Sequence, residues 1–417
     1  MDRLLIIADD FTGALDTGVQ FASYGALTSV VTNPDCDYLE AGDCCQVLVV
    51  DVESRHMTAD GAYGAVFRAA SKALDSGFTY IYKKTDSALR GNVGAELAAV
   101  LDAARADSMA VFPSFPEMGR ITRNGVQYID GVPVAESVFG QDPFEPVRHS
   151  SVKDIIGEQT DKPVILHPAG DTGRAGSGIH VYDAVTDEDL RRAASALKSE
   201  GGLRLMAGCA GFASVLPELL EMTAQKPPAP PLTGKLLTIC GSVNLITTAQ
   251  MDAAERAGAL RLSLSPDQKL AQDWAKSPDG RQIIAGWTER IRKVSNAIIE
   301  CGVNDRSETS EKAKQLGLTL RQTRERIADA MGGVLQQVLD MGLDRDILVT
   351  GGDTLLAFMK RVGLDTLTPL GEPVNGVVLS RIRYGGRRLN LMTKSGGFGQ
   401  ETLLTDLAAV RSAEAVY

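Results

Sequence analysis

Short apolar runs alternate along the chain with longer stretches whose apolar residues recur every three or four positions. Leu4–Ala8, Val47–Val50, Thr79–Tyr82 and Met109–Phe112 read as buried strands, each a compact apolar run closed by polar residues. Between them, Leu15, Val19 and Ala22 repeat at helical spacing, and an alanine-rich helix is predicted over 58–74. Val93, Leu97, Val100, Leu101 and Ala104 then make one helical face. Strands separated by helices predict a parallel sheet with right-handed crossovers. Residues 113–150, rich in proline and glycine, break the rhythm; a hairpin is expected at 125–134, and a long irregular stretch of this kind suits a lid. The alternation resumes at Val164–Leu166.

A second series of the same kind begins with the strand Leu236–Cys240 and a helix over 247–256. Ile327, Met331, Val334, Leu335 and Val338 mark a long helix, and Ile347–Thr350 and Leu389–Thr393 are further strands, each followed by a glycine turn. Between the two series lies Pro227-Pro228-Ala229-Pro230-Pro231, a composition that favours an extended spacer. The chain is therefore divided into a domain over 1–225, a linker over 226–235 and a domain over 236–417. The fold class expected is α/β: two domains, each a mainly parallel sheet flanked by helices, with the active site in the cleft between them. No internal sequence repeat stands out.

Composition adds exclusions. With 44% apolar and 23% charged residues, the 417-residue chain is ordinary for a globular protein. Its 43 basic and 53 acidic residues leave a net charge of −10, which argues against nucleic acid as a partner. Six cysteines without a C-x-x-C pair and only four histidines offer little to a metal cluster, and His149, His167 and His180 read as surface or loop residues. Without a basic leader or an apolar run of membrane length, a cytoplasmic location is expected.

Candidate chemistry gathers where strands end. Asp9-Asp10 follows the first strand; one aspartate suffices to cap the next helix, and a second can orient or deprotonate a hydroxyl. Arg55 follows the Val47–Val50 strand, and Lys84, Thr85, Asp86 and Ser87 follow Thr79–Tyr82. Cations beside carboxylates at successive strand ends suit a small hydroxylated acid, although each residue alone is compatible with a solvated salt bridge. In the second domain, Gly241-Ser242, Gly351-Gly352-Asp353-Thr354 and Ser395-Gly396-Gly397 are three turns in which backbone N–H groups can approach phosphates. Neither a P-loop nor a dinucleotide fingerprint is present. Gly208-Cys209-Ala210-Gly211 reads as close packing before a helix. Phosphoryl transfer is the chemistry these features fit, with a non-catalytic sugar-acid binder or an NAD-linked dehydrogenase as rivals.

The stretches IADDFTGALDTGVQFA (Ile7–Ala22), YKKTDSALRGNVGAEL (Tyr82–Leu97), FPSFPEMGRITRNGVQYIDGVPV (Phe112–Val134), VTGGDT (Val349–Thr354) and KSGGFG (Lys394–Gly399) resemble the four-carbon acid sugar kinases over nearly the whole chain. The resemblance implies an N-terminal acid-sugar-binding domain and a C-terminal nucleotide-binding domain. It also implies ATP-dependent phosphorylation of the 4-hydroxyl of a four-carbon acid. The D-threonate branch, yielding 4-phospho-D-threonate, looks most similar; D-erythronate and 3-oxo-tetronates are the alternatives. By resemblance, Asp10, Arg55 and Lys84–Ser87 match substrate positions, and Ser242, Gly351, Gly352, Asp353, Thr354, Gly396 and Gly397 match ATP positions. Asp10, with Asp86 as alternative, is the expected base, Arg55 and Lys84 the expected grip on the acid, and Mg2+ the ion bridging the phosphates. Asp353 is a candidate contact for that ion, but no metal-ligand set is assigned. The partners expected are the sugar acid and ATP, with no membrane and with homodimerisation left open.

Overall fold

An apolar run with no polar interruption has to be covered on both sides, and strand β1 (Leu4–Ala8) is buried along its whole length. The computed structural model describes residues 2–42, 45–142, 145–224, 230, 232–302, 305–343 and 345–409. The chain divides into two units, Met1–Pro227 and Pro228–Tyr417. Of the linker expected over 226–235, residues 226–229 and 231 lie outside the described residues. No helix among the described residues is long and apolar enough to cross a membrane.

The first unit adds β2 (Thr28–Val31), β3 (Val47–Asp51), β4 (Tyr80–Lys84), β5 (Ser108–Phe112), β6 (Arg120–Arg123), β7 (Val126–Ile129), β8 (Val132–Pro133), β9 (Val164–His167), β10 (Gly178–Tyr182) and β11 (Leu205–Gly208). Eight of these strands form a parallel sheet in the order β2-β3-β1-β4-β11-β5-β10-β9. Strand alternation then sorts the side chains. Leu5, Ile7, Leu48, Val50 and Ile81 pack with Val66, Ala70, Leu97 and Val100 of helices Ala59–Asp75 and Val93–Ala104. Leu4, Ile6 and Ala8 point the other way, where helix Phe11–Ala22 packs, started by Asp10 accepting from the Gly13 N–H at 2.9 Å.

The second unit contains β12 (Leu236–Cys240), β13 (Leu260–Ser263), β14 (Asn296–Glu300), β15 (Asp346–Thr350), β16 (Thr366–Val374), β17 (Val377–Tyr384) and β18 (Arg387–Lys394). The order β13-β14-β12-β15-β18 is parallel and continues into an antiparallel β18-β17-β16 meander. The opening strand of each unit thus lies third in its sheet, next to the strand whose helix departs in the opposite direction. In both units this creates a crevice at the carboxyl ends, between β1 and β4 and between β12 and β15.

Several expectations are corrected. β4 extends through Lys83 and Lys84, which pair with Ile7 and Ala8 of β1, so neither lysine lies beyond the strand. The hairpin expected at 125–134 is the second half of a three-stranded antiparallel sheet, β6-β7-β8, because Arg120–Arg123 also pairs with Val126–Ile129. His167 and His180 are buried, not at the surface: they lie on neighbouring strands β9 and β10, bonded ring to ring at 2.9 Å and stacked. His149 is exposed and pairs with Glu158. At Gly208 and Gly211 an added Cβ would run into backbone at Phe112, Ser114 and Phe115, so these glycines serve close packing.

Candidate active site

The β1–β4 crevice collects charge because the turns after β1, β3 and β4 all end there. Arg55 sits at the centre. Its Nε meets Asp9 Oδ2 at 2.6 Å, its Nη1 and Nη2 meet Asp10 at 2.9 and 2.7 Å, and Asp86 Oδ1 lies 3.8 Å from Nη2. Asp86 is held more closely by Arg90, through two parallel bonds of 2.8 and 2.9 Å. Burial alone would raise the Asp86 carboxyl, but Arg90 and Arg55 more than reverse this and hold it far below the usual carboxylate range. Asp9 behaves likewise: burial pushes it up, and Arg55, Lys83 and Lys84 bring it below its ordinary value.

The two neighbouring lysines have opposite destinations. Lys83 shares the face of Ile7 and reaches Glu96 of helix Val93–Ala104 at 2.9 Å. Lys84 shares the face of Ala8 and runs under Gly13, where a Cβ would lie 2.8 Å from its Nζ. Its ammonium donates to the Thr85 carbonyl at 2.7 Å, and it makes no salt bridge among the described residues. Thr85 Oγ1, Asp9 Oδ1 and Asp51 Oδ2 are buried without hydrogen-bond partners. Ser87 is half-buried beside them in the chain, its carbonyl accepting from Gln127 of β7 at 3.0 Å. The proline-rich stretch adds Asp142, 3.2 Å from Arg90 Nη1, and Phe139 under the same guanidinium.

Asp10, Arg55, Lys84, Thr85 and Asp86 therefore converge, as their places at strand ends anticipate. Sequence reasoning did not single out Asp51 or Glu96, and it left Arg90 open, as a helix-start residue turned either to solvent or into the site. Asp51 closes the apolar run VLVVD as Asp9 closes LLIIA, and Arg90 is four residues beyond Asp86; both signals were there to be read.

In the second unit the three glycine turns meet at the β12–β15 crevice. A Cβ on Gly241 would overlap Thr354 Oγ1, and one on Gly396 would overlap Ser242 Oγ. Gly351, at φ 100°, leads into helix Gly352–Val362, and its own Cβ position is 3.5 Å from Gly241 C and Ser242 N. Thr247 Oγ1 donates to the Gly396 carbonyl at 2.5 Å. Gly397 is exposed beside Asn244. Asp353 is gripped by Arg324 through bonds of 2.6 and 3.0 Å. Lys394, the first residue of the KSGGFG stretch but given no role there, ends β18 at the base of these turns.

One open α/β unit with a charged crevice and a second with converging glycine turns fit an enzyme of the kinase type. Comparisons with known proteins bring the same class. A family model described as "Sugar-binding N-terminal domain" matches residues 4–216, and one described as "Nucleotide-binding C-terminal domain" matches 237–404. D-threonate kinase of Salmonella typhimurium is 30% identical over 97% of each chain. D-erythronate kinase of Heliobacterium modesticaldum is 28% identical over 96% of this chain and 94% of that protein. A 3-oxo-tetronate kinase of Methylobacterium radiotolerans is 25% identical over 94% of this chain and 95% of that one. The crystal structure of Haemophilus influenzae protein HI1011 superposes with a TM-score of 0.71 at 20% identity, covering 97% and 98% of the two chains, a likeness of fold. The chain belongs to the four-carbon acid sugar kinase family.

Proposed function

We propose that the chain transfers the γ-phosphoryl group of MgATP to the 4-hydroxyl of a four-carbon sugar acid, D-threonate, giving 4-phospho-D-threonate. The observation that carries this reading is Lys84, an ammonium 5% exposed at the crevice and without a carboxylate partner among the described residues. A small acid brings a carboxylate into direct contact with this ammonium, which acts on Asp9 and Asp86 without a salt bridge to either, while its hydroxyls meet Asp10, Thr85, Asp86 and Ser87. Arg55, its donors already directed at Asp9, Asp10 and Asp86, positions these carboxylates. Asp10, with its side chain 26% exposed against 3% for Asp9 and 10% for Asp86, is the carboxylate most open to the attacking hydroxyl, and accepts its proton. Asp86, held strongly acidic by its two arginines, orients hydroxyls as a permanent anion.

Ser242 and the turns at Gly351–Thr354 and Gly396–Gly397 hold the phosphates through backbone N–H groups. Among the described residues no group of three or more His, Cys, Asp or Glu could hold a metal, and Asp353 is committed to Arg324. The ion enters as part of the MgATP substrate.

D-threonate kinase is the name of one relative above; others act on epimeric or oxidised acids. The test is ADP release from MgATP with D- and L-threonate, D- and L-erythronate and the 3-oxo-tetronates. Turnover of D-threonate is expected. Turnover of a different member alone would move the substrate, and silence across the panel would overturn the reading.

A further inference from the structure

Lys394 is the last residue of β18 and is 2% exposed. Its Nζ donates to Thr247 Oγ1 at 3.1 Å and to the Ser395 carbonyl at 2.8 Å, two neutral oxygens. Two other buried lysines are matched by carboxylates, Lys83 by Glu96 at 2.9 Å and Lys269 by Asp305 at 2.5 Å, whereas Lys84 of the first unit, which faces the other crevice, makes no salt bridge among the described residues. Lys394 has no such match among the described residues. An ammonium removed from water without an opposite charge is costly, and this cost is tolerated where a ligand brings the charge.

Its surroundings say which ligand. Ser395 opens the Gly396–Gly397 turn, and Thr247, which accepts from Lys394, donates onward to the Gly396 carbonyl. The Lys394 carbonyl accepts from the Gly351 N–H at 3.5 Å, so the same residue touches a second glycine turn. Its register partners are Thr350 on β15 and Val377 on β17, neither charged. We propose that Lys394 is a phosphate-binding residue, its ammonium answering the polyphosphate charge of a nucleotide seated on the converging glycine turns. This rests on the kinase reading and adds to it a cation that the turns themselves lack. Burial brings the ammonium down to about 8, which leaves it charged at neutral pH and readily discharged above it. The titratable group facing it is Cys240 of β12, whose thiol burial pushes up and keeps neutral over that range.

The experiment is calorimetric binding of ATP, ADP and adenosine to the full chain, wild type and Lys394→Met. The variant is expected to weaken ATP and ADP about ten- to a hundredfold, the effect of one charged hydrogen-bond donor, and to leave adenosine unchanged. Removing an unanswered buried charge should not lower the unfolding midpoint, so the variant remains testable. In the wild type, ATP affinity should fall with one proton's dependence between about pH 7.5 and 9.5, while the variant and adenosine stay flat. A merely structural brace for the turn would weaken all three ligands together and without that pH profile, and this result overturns the proposal. Unchanged ATP affinity in Lys394→Met also overturns it, with nucleotide binding left intact. Absence of ATP binding in the wild type would overturn the kinase reading and this assignment with it.

Discussion

Lys83 on β4 and Glu96 on the following helix meet at 2.9 Å with side chains 0% and 3% exposed. The pair does more than neutralise two buried charges. Glu96 also accepts from Ser54 Oγ, and Asn92, one turn earlier, donates to the carbonyls of Ser54, Arg55 and Met57 at 3.0, 3.3 and 3.0 Å. The turn carrying Arg55 is thus anchored from beneath. Lys83→Met is expected to cost about 3–5 kcal/mol in urea unfolding, because Glu96 is left buried and unanswered. Replacing both partners by apolar residues should recover much of that loss. A single-variant loss below about 1 kcal/mol would show that water reaches the pair.

Lys84 lies beside Lys83 in the chain but faces the crevice. Lys84→Met should raise KM for the sugar acid about ten- to a hundredfold and leave ATP affinity unchanged. Steady-state kinetics with each substrate varied in turn checks this. An unaltered KM for the acid would place its carboxylate elsewhere.

Asp51 carries a pH prediction. Burial, then Glu53, then Asp10 raise its carboxyl well above the ordinary value, so the folded chain keeps a proton that the unfolded chain releases above about pH 4. The folded state then binds more protons, and stability falls as pH rises through the unfolded value. Asp51→Asn removes this term while keeping an oxygen for the Glu53 N–H, which Asp51 Oδ1 holds at 3.1 Å. The variant should be more stable than wild type at pH 7.5, by about 1.4 kcal/mol for each unit by which the carboxyl is raised. The advantage should disappear below about pH 4. Denaturant midpoints at the two pH values test it, and equal midpoints at pH 7.5 would contradict it.

Gly241→Ala tests the nucleotide crevice. Thr354 is 1% exposed, so its hydroxyl has nowhere to retreat from the new Cβ, and the turns at 241–242 and 351–354 must separate. ATP affinity should drop at least about tenfold, with the sugar-acid affinity of the first unit unchanged. Isothermal titration of each ligand decides the matter.

Much of this molecule was legible from local pattern. The apolar runs LLIIA, followed by Asp9, and VLVVD, closed by Asp51, locate β1 and β3 and place polar residues at their carboxyl ends. Asp10, Arg55 and Asp86 could therefore be nominated together, and the glycine turns after β12, β15 and β18 could be too. β16 escaped, because Pro369, Gly371 and Pro373 interrupt it; the register with β17 shifts on either side of Gly371. The histidine pair escaped as well. His167 and His180 become neighbours through the pairing of β9 with β10, in which Tyr182 lies opposite His167.

By itself the sequence determined strand parity, helix faces and the kind of residue found where each strand ends, because these depend on neighbours one to four positions away. Tertiary structure alone decided that β1 lies between β3 and β4, and β12 between β14 and β15. From that order follow the partners: Arg55 with Asp9, Asp10 and Asp86, Lys83 with Glu96, and Lys394 with no carboxylate among the described residues. Two lysines adjacent in sequence meet different surroundings because strand parity sends them to opposite faces, and only the packed helix brings a carboxylate, Glu96, within salt-bridge distance of Lys83.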